Sequence, residues 1–222
     1  MSRNRYSDEE RRRIAVRLVE AAGALMKAGG VKNASIRKVA RAAGCSSASL
    51  YRYFKNLDEL VNMACLHCME DCCREIAAFR QDGRDSRETY IRTWDALCRY
   101  AFANPEIFCH VFFASSDSLS GEAIRAYYAL FPAGAEREAP LRETMQLLFA
   151  GSSPSDRGYA LLRPMVQERA LQEAAARQIS VLVTGYFRSL LETRRDEGPG
   201  ESGEDRIQKQ MRAVSFLLER AC

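Results

Sequence analysis

Residues 35 to 54, Ser-Ile-Arg-Lys-Val-Ala-Arg-Ala-Ala-Gly-Cys-Ser-Ser-Ala-Ser-Leu-Tyr-Arg-Tyr-Phe, constrain this chain more than any other stretch. Ser35 suits a helix N-cap, where its hydroxyl accepts from a free first-turn amide. Ile36, Val39, Ala40 and Ala43 then recur at helical spacing and form one narrow apolar face. Gly44 follows where the backbone must turn left-handed, a conformation glycine adopts without steric cost. Ser46 is the next N-cap, and Leu50 and Phe54, four apart, face back toward the first helix. The pattern predicts two short helices joined by a tight glycine turn.

That segment holds no acid. Residues 1–57 carry thirteen Lys and Arg against four Asp and Glu, a net of +9, while the remainder of the 222-residue chain carries −5. A basic end on an acidic body is the footprint of a nucleic-acid surface, whereas an ordinary solvated face mixes its signs. Helix, glycine turn and helix with this charge read as a helix-turn-helix DNA reader. Ser47, Ala48, Ser49, Tyr51, Arg52 and Tyr53 are left on its outer side or margins. Small hydroxyl and methyl groups suit close approach to base edges, and Arg and Tyr suit phosphates.

Residues of about 8 to 64 resemble the DNA-binding domain of the TetR family of bacterial transcriptional regulators. The likeness rests on an opening helix with Ile14, Leu18, Ala22, Leu25 and Met26, then Ala-Ser-Ile-Arg-Lys-Val-Ala, Ala-Gly-Cys-Ser, Leu-Tyr-Arg-Tyr-Phe and Leu57-Asp-Glu-Leu60. The resemblance implies that Ser46 to Tyr53 is the recognition helix. Ser47, Ala48 and Ser49 fall at its base-reading end, and Tyr51 and Tyr53 fall on phosphates. Ser35 and Arg37 begin the preceding helix, against the DNA backbone or a base. Ser46, Arg52 and Lys55 complete the expected DNA-binding set. Ser47 and Ala48 depart from the Lys and Gly often found in the family, and Leu57 replaces a common Lys, with Lys55 two residues earlier. Arg3 and Arg5 form a basic arm that either reaches a minor groove or stays a solubilising tail.

The whole chain reads as all-α, because no segment alternates polar and apolar residues for long enough to argue a sheet. The expected organisation is a helix-turn-helix domain over 1–56 and a larger helical ligand-binding and dimerisation domain over 57–222. Helices are expected over 57–79, 86–103, 105–113, 121–131, 140–149 and 155–171, the last bent at Pro164. Near the end, Ile179, Leu182, Val183, Tyr186, Phe187, Leu190 and Leu191 form one wide apolar stripe, and Ile207, Met211, Val214, Leu217 and Leu218 form another. Two such helices either close the chain's own core or pair with a second copy as a four-helix bundle. Family resemblance implies the dimer, and one reader alone holds few contacts. Ile179, Leu182, Val183, Tyr186, Leu190, Ile207, Met211, Val214 and Leu218 are the expected interface.

Four of eight cysteines, Cys65, Cys68, Cys72 and Cys73, fall in one predicted helix. The Cys65/Cys68/Cys72 stripe suggests a thiol or soft-metal sensor. Val61, Met69, Ile76 and Phe79 share it, so buried packing is the stronger reading. No metal site or cofactor is expected. With only two histidines and no nucleophile elbow or phosphate loop, an enzyme is not expected either. Tyr90, Trp94, Phe108, His110, Phe112, Tyr127 and Phe149 are the expected walls of a small-molecule effector pocket. No apolar run is long enough to span a membrane, and no secretory signal opens the chain, so a cytoplasmic location is expected. The resulting expectation is a ligand-released repressor, a homodimer on a double-stranded DNA operator. A helical interaction module that no longer reads DNA is the competing class.

Overall fold

The computed structural model describes residues 7–83, 85–113, 121–132, 135–149, 153–197 and 202–221. Arg3 and Arg5 lie outside them. Every regular element among the described residues is helical: α1 (Asp8–Gly29), α2 (Ile36–Ala42), α3 (Ser47–Leu50), α4 (Leu57–Gln81), α5 (Ser86–Ala103), α6 (Pro105–Phe113), α7 (Gly121–Leu130), α8 (Ala135–Phe149), α9 (Pro154–Gln167), α10 (Glu173–Glu197) and α11 (Gly203–Ala221). A single 3-10 turn, Val31–Asn33, follows α1.

Local chemistry sets most of the helix starts. Ser7 and Glu10 form a capping box on α1, each side chain bonding the other's backbone N–H. Ser35, Ser46, Asn56, Asp85 and Ser153 each accept a hydrogen bond from the third helical residue after them. Glu59 does not close a capping box on Asn56; its carboxylate takes the Lys55 amide instead, at 2.5 Å.

Several boundaries differ from the sequence reading. α8 begins at Ala135, five residues before Pro140. α9 passes through Pro164 and stops at Gln167, short of Leu171. Arg169 there takes φ +60°, and the Ala170 amide returns to the Met165 carbonyl, which closes the last turn.

α1 packs on α2 and α4; α4 runs on against α5, α7 and α8; α10 lies along α9 and against α6 and α11, and α11 also covers α5. One continuous buried cluster extends from Leu18 in α1 to Leu218 in α11. α4 is buried on several sides, with Leu60, Ala64, Cys65, Leu66, Met69, Cys72, Cys73 and Ile76 inaccessible to solvent. It therefore ties the N-terminal helices mechanically to the rest.

Candidate functional site

α2 and α3 are positioned by a small set of buried side chains. Ala40 is buried, and Val39, Ala43, Leu50 and Phe54 are buried in the same cluster as Leu18, Val19 and Ala22 of α1. Gly44 takes φ +67° between the helices, the turn its place in the sequence calls for. α3 is shorter than the expected recognition helix: α-helical geometry covers Ser47–Leu50, and residues 51–53 continue as tightened turns. The Arg52 and Tyr53 amides bond three residues back, to Ser49 and Leu50. Buried Phe54 and the cap at Asn56 draw the chain out of the helix at this point.

Opposite that buried face, Arg37, Ser46, Ala48, Tyr51, Arg52 and Lys55 are exposed, and Ser35, Ser47, Ser49 and Tyr53 are half-buried. Tyr51 has more than half of its surface open to solvent (56%), an unfavourable place for an aromatic ring with nothing to cover it. The Ser46 hydroxyl is the cap of α3 and also meets the Ser49 hydroxyl at 2.9 Å, so both have local partners. Arg37, Arg41, Arg52 and Lys55 make no ion pair with a carboxylate among the described residues. This leaves a cationic surface whose charges no carboxylate among the described residues pairs with.

Residues 18–64 match the family model described as bacterial regulatory proteins, tetR family. This stretch is a TetR-family regulatory module. The matched residues are accordingly a DNA-binding regulatory module at the N-terminal helices. Solved structures extend the likeness to the TetR-regulator fold of the whole chain. FadR of Thermus thermophilus, a transcriptional repressor solved with lauroyl-CoA, is 14% identical with a TM-score of 0.54, over 90% of this chain and 93% of that one. FadR of Bacillus subtilis, solved with stearoyl-CoA, is 12% identical with a TM-score of 0.57, over 91% and 97%. RolR, solved with resorcinol, is 13% identical with a TM-score of 0.60, over 97% and 90%. No curated protein is significantly similar to the chain.

Behind the TetR-type module, the expected aromatic pocket separates into three places. Trp94 and Phe112 meet edge-on around Phe187 at 5.4 and 6.0 Å, with Phe149 against Phe112 at 5.7 Å. Tyr90 stands beside Trp94, and Phe108 stacks on Phe112. Phe187, assigned from sequence to the terminal stripe, is the hub of this cluster. Tyr127 is elsewhere. It donates to Glu70, its hydroxyl lies 3.3 Å from His67 Nδ1, and its ring stacks on Phe131. Burial, followed by the bond to Glu70, pushes the Tyr127 phenol upward. His110 leaves the cluster too. It lines an open cleft of about 760 Å³ with Val31, Lys32, Glu106, Phe113 and Arg188, and its Nε2 lies 3.4 Å from Asn62 Oδ1. Burial holds the His110 pKa below its ordinary value.

The terminal stripes also divide. Ile179, Val183, Leu190, Val214 and Leu218 are buried within the single chain, so they are core residues rather than an open face. Ile207 and Met211 are half-buried. Leu182 (55% exposed) and Tyr186 remain outward, joined by Val181 and Phe216, which sequence periodicity did not select. α10 packs on α5, α6, α9 and α11 together, and that wrap consumes the stripe's centre.

Cys65, Cys72 and Cys73 are fully buried, and Cys68 packs against Gly23 of α1. Burial pushes all four thiols up, away from thiolate. No group of three or more His, Cys, Asp or Glu side chains arranged to hold a metal occurs among the described residues. No helix among them is long and apolar enough to cross a membrane.

One contact had no sequence signal. Gly30, at φ +76° and ψ 171°, follows α1, and the Glu106 carboxylate of α6 presses on it while accepting the Val31 amide at 3.0 Å. A Cβ at Gly30 would run into Glu106 Oε2 unless that side chain moved. Arg12 Nε similarly donates to the Leu130 carbonyl at the end of α7, at 2.9 Å. These two bonds fix the N-terminal helices onto α6 and α7.

Proposed function

We propose that the chain is a homodimeric, sequence-specific transcriptional repressor whose hold on DNA is released by a small-molecule effector. Residues 1–56 form the reader and residues 57–222 the effector-binding and dimerising body of a cytoplasmic protein. The supporting observation is the basic face of α2, α3 and the turns that follow, where Arg37, Tyr51, Arg52 and Lys55 are exposed and no carboxylate among the described residues pairs with their charges. Ser47, Ala48 and Ser49 approach base edges, Tyr51, Arg52, Tyr53 and Lys55 hold phosphates, and Ser35 and Arg37 brace the backbone. Two copies join through Leu182, Tyr186, Val181 and Phe216. Their readers then meet successive major grooves, about 34–36 Å apart, of a near-palindromic operator.

The effector enters the aromatic cluster of Trp94, Phe112, Phe149 and Phe187. Solved proteins of this fold hold lauroyl-CoA, stearoyl-CoA and resorcinol, which supports an effector with an apolar body. α6 carries the signal: Phe108 and Phe112 stand in the cluster, and Glu106 at its other end grips Gly30 and Val31. Release requires that the effector bind the state with misplaced readers better than the DNA-bound state.

A mobility-shift titration against the gene's own upstream region tests this reading. Wild-type protein should retard the fragment, with affinity falling steeply as salt rises. Tyr53→Phe and Lys55→Ala should weaken binding to every fragment, and Lys55→Ala should flatten the salt slope by about one per reader. Unchanged affinity and slope in both variants would show that the reader face is misassigned.

A further inference from the structure

Among the described residues, buried side-chain atoms without a close hydrogen-bond partner include several on the helices of the aromatic cluster and on α9 packed against them: Tyr90 Oη, Trp94 Nε1, Thr144 Oγ1, Arg157 Nε and Thr184 Oγ1. They come from α5, α8, α9 and α10. Nearly all buried polar groups in folded proteins are paired, so such a concentration asks for a reason. The indole N–H and the guanidinium Nε–H donate and cannot accept. The neighbouring Tyr90 hydroxyl oxygen is the acceptor available to the indole, so the position that lacks one is Arg157 Nε.

Arg157 narrows the chemistry further. Arg99 of α5 and Arg177 and Arg188 of α10 rest on carboxylates: Arg99 on Glu75 and Asp95, Arg177 on Glu173, Arg188 on Glu192. Arg157 turns inward instead. One terminal nitrogen donates to the Phe112 carbonyl at the end of α6, at 2.7 Å, and the guanidinium carbon lies 5.5 Å from the centroid of the Phe112 ring. Asp156, its neighbour in sequence, is exposed and bonded to the cap residue Ser153. Burial lowers the Arg157 pKa, and the charge of Asp156 works against that shift. Among the described residues this half-buried cation has a carbonyl, a ring and the exposed Asp156 beside it but no carboxylate bonded to it, which leaves its Nε–H open to a negative charge.

We propose that the effector is a small monocarboxylate, whose carboxylate accepts the Arg157 Nε–H while its apolar body lies against Phe112, Phe187 and Trp94. This assignment rests on the aromatic cluster being the effector site. It also supplies a route outward. The same guanidinium tethers α9 to the Phe112 carbonyl in the last turn of α6, so a carboxylate that draws Arg157 away loosens the helix whose first turn holds Gly30 and Val31.

Trp94 is the only tryptophan in the chain, so its emission reports the cluster directly. Full-length protein is titrated with octanoate and phenylacetate, with octanamide and phenylacetamide, and with octanoyl-CoA, following Trp94 emission and thermal melting. The acids should bind about tenfold or more tightly than their amides, the scale of one charge-assisted bond lost inside a core. Arg157→Gln should erase that preference. The wild-type comparison of acid with amide decides the matter even if Arg157→Gln fails to fold. Amides binding as well as acids, or octanoyl-CoA binding more tightly than octanoate, would overturn the carboxylate assignment and leave the effector site standing. If no probe perturbs Trp94 or melting, the aromatic cluster falls as the effector site and the assignment falls with it.

Discussion

Gly30 and Glu106 show how much one residue can depend on another far along the chain. Gly44 and Gly30 both adopt positive φ, at +67° and +76°, but for unlike reasons. At Gly44 nothing lies within 4 Å of an added Cβ, and the turn alone requires glycine. At Gly30 the backbone angles disfavour a side chain, and the Glu106 carboxylate would have to move aside for one. Gly30→Ala should therefore lower unfolding free energy by about 1–3 kcal/mol from backbone strain alone, with the clash adding to it, as read by urea denaturation. Adding Glu106→Ala should recover the steric part and leave the backbone part. Full recovery in the double variant would mean that the left-handed conformation carries no cost. The Gly30 role was not legible in sequence, since its cause is a carboxylate on α6. The Gly44 role was legible, since its cause is local.

Helix starts are written in short stretches of chain, and the observed caps follow them closely. Ser35 and Ser46 cap the helices their positions suggested, and Asn56 caps α4. Asn56 Oδ1 accepts the Glu59 amide at 2.8 Å at the start of α4, the helix that joins the N-terminal module to the rest. Asn56→Ala should cost about 1 kcal/mol, measurable by thermal melting, with the helix content of the folded state unchanged. A loss below a few tenths would show that neighbouring packing, not the cap, sets this start. Helix ends were less legible. α3 stops at Leu50 because Phe54 must reach the core, and α9 stops at Gln167 because Arg169 turns left-handed to close it. Those stops answer to packing beyond the helix in question.

The assembled chain divides the terminal apolar stripes, and the two halves should respond differently to charge. Leu182 is 55% exposed and Val183 is fully buried, although they are adjacent. Leu182→Glu should leave the fold intact and convert the proposed dimer to monomer in sedimentation, with loss of tight DNA retention. Val183→Glu should instead unfold the chain, because a buried, unpaired carboxylate has no compensation. A folded Leu182→Glu protein that stays dimeric would move the interface off α10. Periodicity marked both residues alike, because an apolar stripe of this width reports that a face avoids water without saying what covers it.

By itself, the sequence determined the all-helical class, the basic glycine-hinged reader and the caps that start its helices. Each of these follows from chemistry within a few residues: helical spacing, a left-handed glycine, a hydroxyl over free amides, and an excess of one charge. Tertiary structure decided which aromatics share a cluster, which cysteines are sealed away, which leucines face solvent, and where Arg157 and Glu106 point. Those outcomes depend on which helices pack against which, and packing joins residues that the chain keeps far apart.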